Sequence, residues 1–92
     1  MYMLLTIHSP RPGAVDALTD SMHRYGAALR TQPGFVATGT FKADDGRLLG
    51  LAVFESEQAW NVARMAGRDA VKDDPFDDWE TGRPMAISGT ET

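Results

Sequence analysis

The chain is 92 residues long, the length of one domain spanning residues 1–92, and it contains no cysteine. Its net charge of −4 argues against a general nucleic-acid or anionic-membrane partner. A hydrophobic content of 42% excludes a disordered chain, and no apolar run approaches the roughly 18 residues of a membrane span. A domain this small buries only about 60–65% of its unfolded surface, so a second copy would add core. We expect a cytoplasmic protein that pairs with itself.

The first strand is predicted over residues 2–8. The apolar run that opens the chain lacks a basic n-region, which favours a strand over a signal peptide. A proline- and glycine-rich cluster at 9–13 ends this strand. Residues 14–30 then form an amphipathic helix, because its apolar residues fall in one arc about 100° wide. Those residues are Val15, Leu18, Met22, Tyr25, Gly26 and Leu29.

Residues 35–54 read as a β-hairpin with a tight turn at Asp45 and Gly46. That turn predicts Phe41 opposite Gly50, Gly39 opposite Ala52 and Ala37 opposite Phe54. The face with these large and small residues would receive the helices of the domain. The other face would carry Val36, Thr38, Thr40, Leu49, Leu51 and Val53. It is too apolar for a solvated sheet face, so we expect it to contact the sheet of a second subunit.

The second helix is predicted to begin near Glu57 with Ser56 as its cap. Small residues share one arc of this helix: Ala59, Ala63, Ala66, Gly67 and Ala70. They indicate close packing on the sheet, or alternatively space for a ligand bounded by Trp60. Residues 67–82 are acidic and irregular, with a short helical turn at 75–79. A last strand is expected at 85–88, followed by a frayed tail at 89–92.

The element order is therefore βαββαβ. This order favours a ferredoxin-like α+β sandwich, in which two helices cover one face of a four-stranded antiparallel sheet.

Two short motifs resemble the antibiotic biosynthesis monooxygenase family, a group of dimeric α+β barrels. One is Gln-Pro-Gly-Phe at 32–35, and the other is Phe-Glu-Ser-Glu-Gln-Ala-Trp at 54–60. The resemblance spans nearly the whole chain in element order. It implies a homodimer whose sheets pack together, with a pocket between sheet and helices in each subunit. It also implies oxidation of phenolic or polyketide substrates by O₂ without a cofactor in some members, and haem degradation in others.

The chain departs from this family at several positions. Many members carry a histidine in the region that corresponds to residues 64–69, where this chain has none. The haem-degrading branch uses an asparagine near the place of Thr6 and a tryptophan where this chain has Ala63. The resemblance therefore transfers no haem chemistry.

Cofactor-independent oxygenation needs an apolar pocket, a base, and donors for the developing oxyanion. His8 is the best base by residue type, and Tyr25 is the second candidate because its ring lies within the apolar arc. The alternatives are a strand-end histidine bonded to backbone or solvent and a tyrosine with a structural partner. His23 lies away from the apolar arc and is expected to be solvated.

The predicted substrate-binding residues are Trp60, Thr6, Thr38, Thr40 and Arg64. Thr6 shares a strand face with His8, and Arg64 could meet an anionic ligand although solvation is also expected for it. No cofactor or metal is predicted. The acidic residues Asp73, Asp74, Asp77 and Asp78 lack the glycine and closing glutamate of an EF-hand, so a solvated loop is expected. Phe76 and Trp79 within this segment should pack on the core or on the partner chain.

Three functions fit these residues. The first is a small monooxygenase-like enzyme for an aromatic or polyketide-like molecule, in which His8 or Tyr25 handles the proton. The second is a non-catalytic barrel that binds a small metabolite or serves as an interaction module. The third is an isomerase or lyase that uses the base without O₂.

Overall fold

A computed structural model describes all 92 residues. Its elements in chain order are β1 (Tyr2–His8), α1 (Val15–Leu29), β2 (Phe35–Lys42), β3 (Leu48–Phe54), α2 (Glu57–Ala70), α3 (Phe76–Trp79) and β4 (Met85–Thr90). The four strands form one antiparallel sheet in the order β2-β3-β1-β4. The prediction of a ferredoxin-like α+β fold is therefore confirmed.

Helix α1 begins and ends within a residue of the prediction. Helix α2 begins at the predicted Glu57 but continues to Ala70, into the segment 67–82 that was expected to be irregular. The Ser56 hydroxyl accepts a hydrogen bond from the Ala59 amide at 3.1 Å, as an N-cap side chain does.

Of the small residues of α2, Ala63 and Gly67 are buried, and none of the five lines the main cavity. A Cβ atom on Gly67 would lie 2.6 Å from the Tyr25 ring, so α1 and α2 approach each other at a position that only glycine fits.

The core lies between the sheet and the helices at the Tyr2 end of β1. Its buried residues are Leu29, Ala52, Phe54, Trp60 and Ala63. The Phe54 ring lies 5.7 Å from both the Phe35 and Trp60 rings, within the range of favourable aromatic pairs. Packing is thus concentrated at one end of the sandwich, and the other end can hold a cavity.

The hairpin register differs from the prediction by one residue. Gly46 has the expected positive φ of 92°, but the connection spans residues 43–47. The Ala43 amide donates to the Arg47 carbonyl at 2.8 Å, and the Gly46 amide donates to the Ala43 carbonyl at 2.9 Å. The longer loop places Phe41 opposite Leu49. The predicted pairs with Gly50, Ala52 and Phe54 were therefore wrong.

A one-residue shift exchanges the two faces of a strand. Thr38 and Thr40 of β2 face the helices, opposite Ala52 and Gly50, whereas Phe41 faces away from them. A register irregularity between Phe35 and Ala37 keeps the Phe35 ring in the core. The predicted face of β3 was correct, because Leu49, Leu51 and Val53 lie on the side of the sheet without helices.

This face, which we call the open face, is almost entirely apolar. Its residues are Met3, Leu5, Ile7, Phe41, Leu49, Leu51, Val53, Met85 and Ile87. Phe41, Met85 and Ile87 are 54%, 60% and 54% exposed. No element of the chain covers these side chains.

The C-terminal end is more ordered than predicted. Strand β4 continues to Thr90, and the Glu91 amide donates to the Met1 carbonyl at 2.8 Å. Hydrogen bonding along β1 holds the residues that were expected to fray. None of the helices has the length and hydrophobicity needed to cross a membrane.

Candidate functional site

A partly enclosed cavity of about 400 Å³ lies between the sheet and the helices. Most of its wall is apolar, with contributions from α1, from strands β1, β2 and β3, and from α2 and the segment after it. Six of the seven predicted site residues line it: Thr6, His8, Tyr25, Thr38, Thr40 and Trp60. Its volume is within the range of small-molecule pockets.

His8 is held on both sides of its ring. The distance from Nδ1 to the Glu80 Oε1 atom is 2.8 Å, and that from Nε2 to the Thr6 hydroxyl is 2.9 Å. The side chains of His8 and Glu80 are 15% and 6% exposed. The carboxylate can only accept, so Nδ1 carries a proton and donates it to Glu80. In the neutral ring, Nε2 is then the acceptor for the Thr6 hydroxyl, whose single hydrogen also has the Gly50 carbonyl within reach at 3.4 Å.

Glu80 reaches His8 because the chain after α3 is joined to the chain after β1. The Arg11 amide donates to the Trp79 carbonyl at 2.7 Å, and the Thr81 amide donates to the Ser9 carbonyl at 2.9 Å. An isolated bridge between Pro10 and Glu80 lies between these bonds. The backbone therefore fixes the position of the carboxylate.

Tyr25 is half-buried, with its ring against Gly67. Burial raises the pKa of its hydroxyl above the ordinary value, and the charges of Arg68 and Arg64 oppose that rise. The hydroxyl is therefore protonated at neutral pH and can donate a hydrogen bond.

The two threonines of β2 differ in what they offer a ligand. Thr38 donates to the Leu51 carbonyl at 2.8 Å, so its hydrogen is already committed. The Thr40 hydroxyl has no hydrogen bond to the protein. Gly50, opposite Thr40, keeps the cavity open, because a Cβ there would lie 2.7 Å from the Thr6 hydroxyl.

The structure does not place Arg64 on the cavity wall; Arg68, one helical turn later, lies there instead. His23 is exposed, as expected from its place on α1. In the acidic segment, Asp74 pairs with Arg24 at 2.7 Å, and hydrogen bonds from Ser21 and Arg24 lower the pKa of its carboxyl. Phe76 lines the cavity and packs edge-on against Trp79.

Comparison with known proteins gives matches in structure only. No family model matches the chain, and no curated protein matches its sequence. A protein from Nitrosomonas europaea assigned to the antibiotic biosynthesis monooxygenases superposes with a TM-score of 0.78 at 13% identity, covering 99% of this chain and 98% of the other. A similarly assigned protein from Chloroflexus aurantiacus gives a TM-score of 0.77 at 14% identity, with coverages of 99% and 92%.

A third match is a variant of SnoaB, described as a cofactor-independent oxygenase from Streptomyces nogalater. Its TM-score is 0.75 at 18% identity, covering 98% of this chain and 91% of the other. The chain has the fold of the antibiotic biosynthesis monooxygenases. The resemblance carried by residues 32–35 and 54–60 is thus confirmed for the fold, and identities this low say nothing about the substrate.

Sequence reasoning missed the two charged residues of the cavity wall, Glu80 and Arg68. Glu80 lies in an acidic, irregular segment, 72 positions from His8, and no local pattern distinguishes it from its exposed neighbours. Arg68 could have been found: the helical period places it one turn after Arg64, beside the small residues that face α1. The choice between these arginines depends on how α2 rotates against α1.

Proposed function

We propose that the protein is a cofactor-independent, monooxygenase-like enzyme that acts on an aromatic or polyketide-like molecule in this cavity. The observation that carries the proposal is the apolar cavity of about 400 Å³ whose wall holds His8 against a buried carboxylate at 2.8 Å. A base oriented by a carboxylate in a mostly apolar site suits proton abstraction from a phenol or enol. The likeness in fold to the oxygenase SnoaB supports the reaction class.

His8 is the base in this proposal. Its Nδ1 proton is held by Glu80, which leaves Nε2 to accept a proton. Since Nε2 contacts the Thr6 hydroxyl at 2.9 Å, a ligand hydroxyl that donates to Thr6 passes its proton through Thr6 to His8. Tyr25 is a donor to the developing oxyanion, because burial disfavours its ionised form. Thr38, Thr40, Trp60 and Arg68 complete the substrate site, and Arg64 lies one helical turn before Arg68.

The oxidant is O₂, and the step balances without another reductant. The deprotonated substrate, a phenolate or enolate, is electron-rich at the carbon ortho or para to the phenolate oxygen or alpha to the enolate carbonyl, and in the keto form this carbon is a CH₂ group. A CH₂ group there loses four electrons to O₂, one oxygen atom forms the new carbonyl, and the other leaves as water with the two hydrogens. The protein supplies the base, the oxyanion donor and an enclosed apolar wall.

A non-catalytic binding protein is the second candidate, and one observation favours it. Both ring nitrogens of His8 already have hydrogen-bond partners, as in a histidine with a structural role. The same cavity would then hold a small metabolite without converting it.

Oxygen uptake with a panel of hydroxylated aromatics separates these candidates. We expect uptake by the wild type and a decrease of about 10²–10⁴-fold in H8A, the range for loss of a general base. The exposed His23 provides the control, and H23A should retain the rate within about twofold. Ligand binding with no turnover would establish the binder, and conversion without uptake would indicate an isomerase or lyase. Equal rates in H8A and wild type would contradict the role of His8.

We also infer a homodimer through the open face, supported by its nine uncovered apolar residues. Location in the cytoplasm and function without a cofactor or metal remain predictions.

A further inference from the structure

One charged residue on the cavity wall, Arg68, has no ionic partner in the protein. Three formally charged or ionisable groups besides Tyr25 line it: His8, Glu80 and Arg68. His8 and Glu80 face each other at 2.8 Å. Arg68 takes part in none of the six ion pairs of the chain. It is the one guanidinium on an otherwise largely apolar wall.

None of the three carboxylates that follow Arg68 most closely in sequence, Asp69, Asp73 and Asp74, forms an ion pair with it. Asp69 pairs with Lys72 at 3.3 Å, and Asp74 pairs with Arg24 at 2.7 Å. The five donors of Arg68 are therefore available to a ligand. Its exposed side keeps the guanidinium hydrated while the cavity is empty, and so avoids the cost of a buried, unpaired charge.

The positive charge of Arg68 acts inside the cavity as well as at the surface. It is the larger of the two charges that lower the pKa of the Tyr25 hydroxyl against the effect of burial. Because the Tyr25 ring lies against Gly67, the residue before Arg68, an anionic oxygen beside Tyr25 would experience the same field.

We propose that the ligand is an apolar ring system with an anionic oxygen group, and that Arg68 binds this group at the rim of the cavity. A planar guanidinium matches a carboxylate, sulfonate or phenolate with paired hydrogen bonds, and the apolar wall accepts the rings. Elsewhere the chain repels anions, with a net charge of −4, so a local cation is needed to select them. This inference rests on the proposed function for the cavity and narrows its substrate class.

Two fluorescent probes test the inference, because they differ in one sulfonate. The anionic probe is 1-anilinonaphthalene-8-sulfonate and the neutral probe is N-phenyl-1-naphthylamine, each titrated into the full chain, with competition to show a shared site. We expect R68Q to weaken the anionic probe about tenfold, which corresponds to about 1.4 kcal/mol. The neutral probe should change by less than about twofold, since its rings contact the apolar wall.

Two matched variants control for position and net charge. R30Q removes a guanidinium that lies over the Phe35 ring, away from the cavity, and should change neither affinity by more than about twofold. R64Q removes the guanidinium one turn before Arg68 and should weaken the anionic probe less than R68Q does.

Each outcome has a defined meaning. Selective loss of the anionic probe in R68Q supports the inference. The inference is overturned if R68Q and R30Q weaken the anionic probe equally, or if R64Q weakens it more than R68Q does. In either case, binding of the neutral probe in the cavity would still support the proposed function. If neither probe binds the wild type, both the inference and the proposed ligand site fail.

Discussion

At the scale of single residues, the unusual feature is a histidine, His8, whose two ring nitrogens are each held by a side chain, Glu80 on one side and Thr6 on the other. Thr6 and His8 lie two apart on one strand, so they share its face. Glu80 comes from a segment 72 residues away and is 7% exposed. A buried carboxylate on Nδ1 sets the tautomer of the ring, which decides whether Nε2 can accept a proton.

The tautomer of His8 can be measured directly. In the neutral ring, ¹⁵N shifts should report a protonated Nδ1 and an unprotonated Nε2. Glu80→Gln keeps an acceptor oxygen and should preserve this tautomer, whereas Glu80→Leu should lose it. Both variants should lower turnover about 10²-fold or more, because neither stabilises the imidazolium with a negative charge.

This pair of variants distinguishes positioning from structure. If Glu80→Leu retains the wild-type tautomer, the carboxylate does not orient the ring. If Glu80→Gln retains full turnover, its negative charge plays no part in the reaction.

At the scale of elements, the close contact between α1 and α2 determines where the cavity lies. The Tyr25 ring packs against Gly67, so α1 and α2 leave no space between them at this position. The ligand space therefore lies under α1 and the end of α2, lined by Leu18, Met22 and Val71 among others. The small residues of α2 do not line the cavity, whereas Trp60 at the edge of their arc does.

Two mid-helix glycines provide a matched test of this contact. Gly67→Ala would place a Cβ 2.6 Å from the Tyr25 ring, whereas Gly26→Ala would meet Thr38 at an ordinary 3.5 Å. We expect G67A to lower the free energy of unfolding by about 1–2 kcal/mol, since overpacking exceeds the gain in helix propensity. G26A should be neutral or stabilising by up to about 1 kcal/mol.

Denaturant unfolding measures both changes, and a double variant identifies the cause. With Tyr25 replaced by alanine, the added methyl of G67A should no longer destabilise the protein. A loss of stability that persists without the ring, or equal effects at the two glycines, would show that the contact is not what requires glycine.

At the scale of the whole molecule, the sandwich is covered on one side only. The open face presents large apolar side chains from all four strands, with Leu5 of β1 between Leu51 and Ile87. An uncovered apolar face of this kind usually marks an interface. A sheet-to-sheet contact with a second copy would bury it.

The oligomeric state can be measured by sedimentation or light scattering. We expect the wild type to have twice the chain mass of 10.0 kDa. Leu5→Lys or the more exposed Ile87→Lys should give a folded monomer, because a charge at the centre of an apolar contact loses its hydration. Val62→Lys, on the 58% exposed outer side of α2, should remain dimeric.

The same mass measurement shows whether the chain is a monomer or forms a dimer through a different surface. A wild type of 10 kDa would rule out the dimer, and dissociation caused by Val62→Lys instead would place the interface on α2.

The sequence alone determined the order and type of the elements. The hydrophobic period, the Ser56 cap and the breakers at 9–13 and 32–34 are local signals, and they placed both ends of α1 and the start of α2 within about a residue. Element order then led to the ferredoxin-like sheet. The strand period also placed His8 on one face with Thr6, and the helical period placed Tyr25 within the apolar arc of α1 and Trp60 at the edge of the small-residue arc of α2.

Only the tertiary structure decided the register of the hairpin and the partners of the site. A two-residue and a five-residue connection share the same Asp-Gly signal, yet they send Thr38 and Thr40 to opposite faces. Glu80 and Arg68 reach the cavity through chain pairing at Pro10 and the rotation of α2, which depend on contacts distant in sequence. Local pattern specifies what a segment becomes, whereas long-range packing specifies which side chains meet.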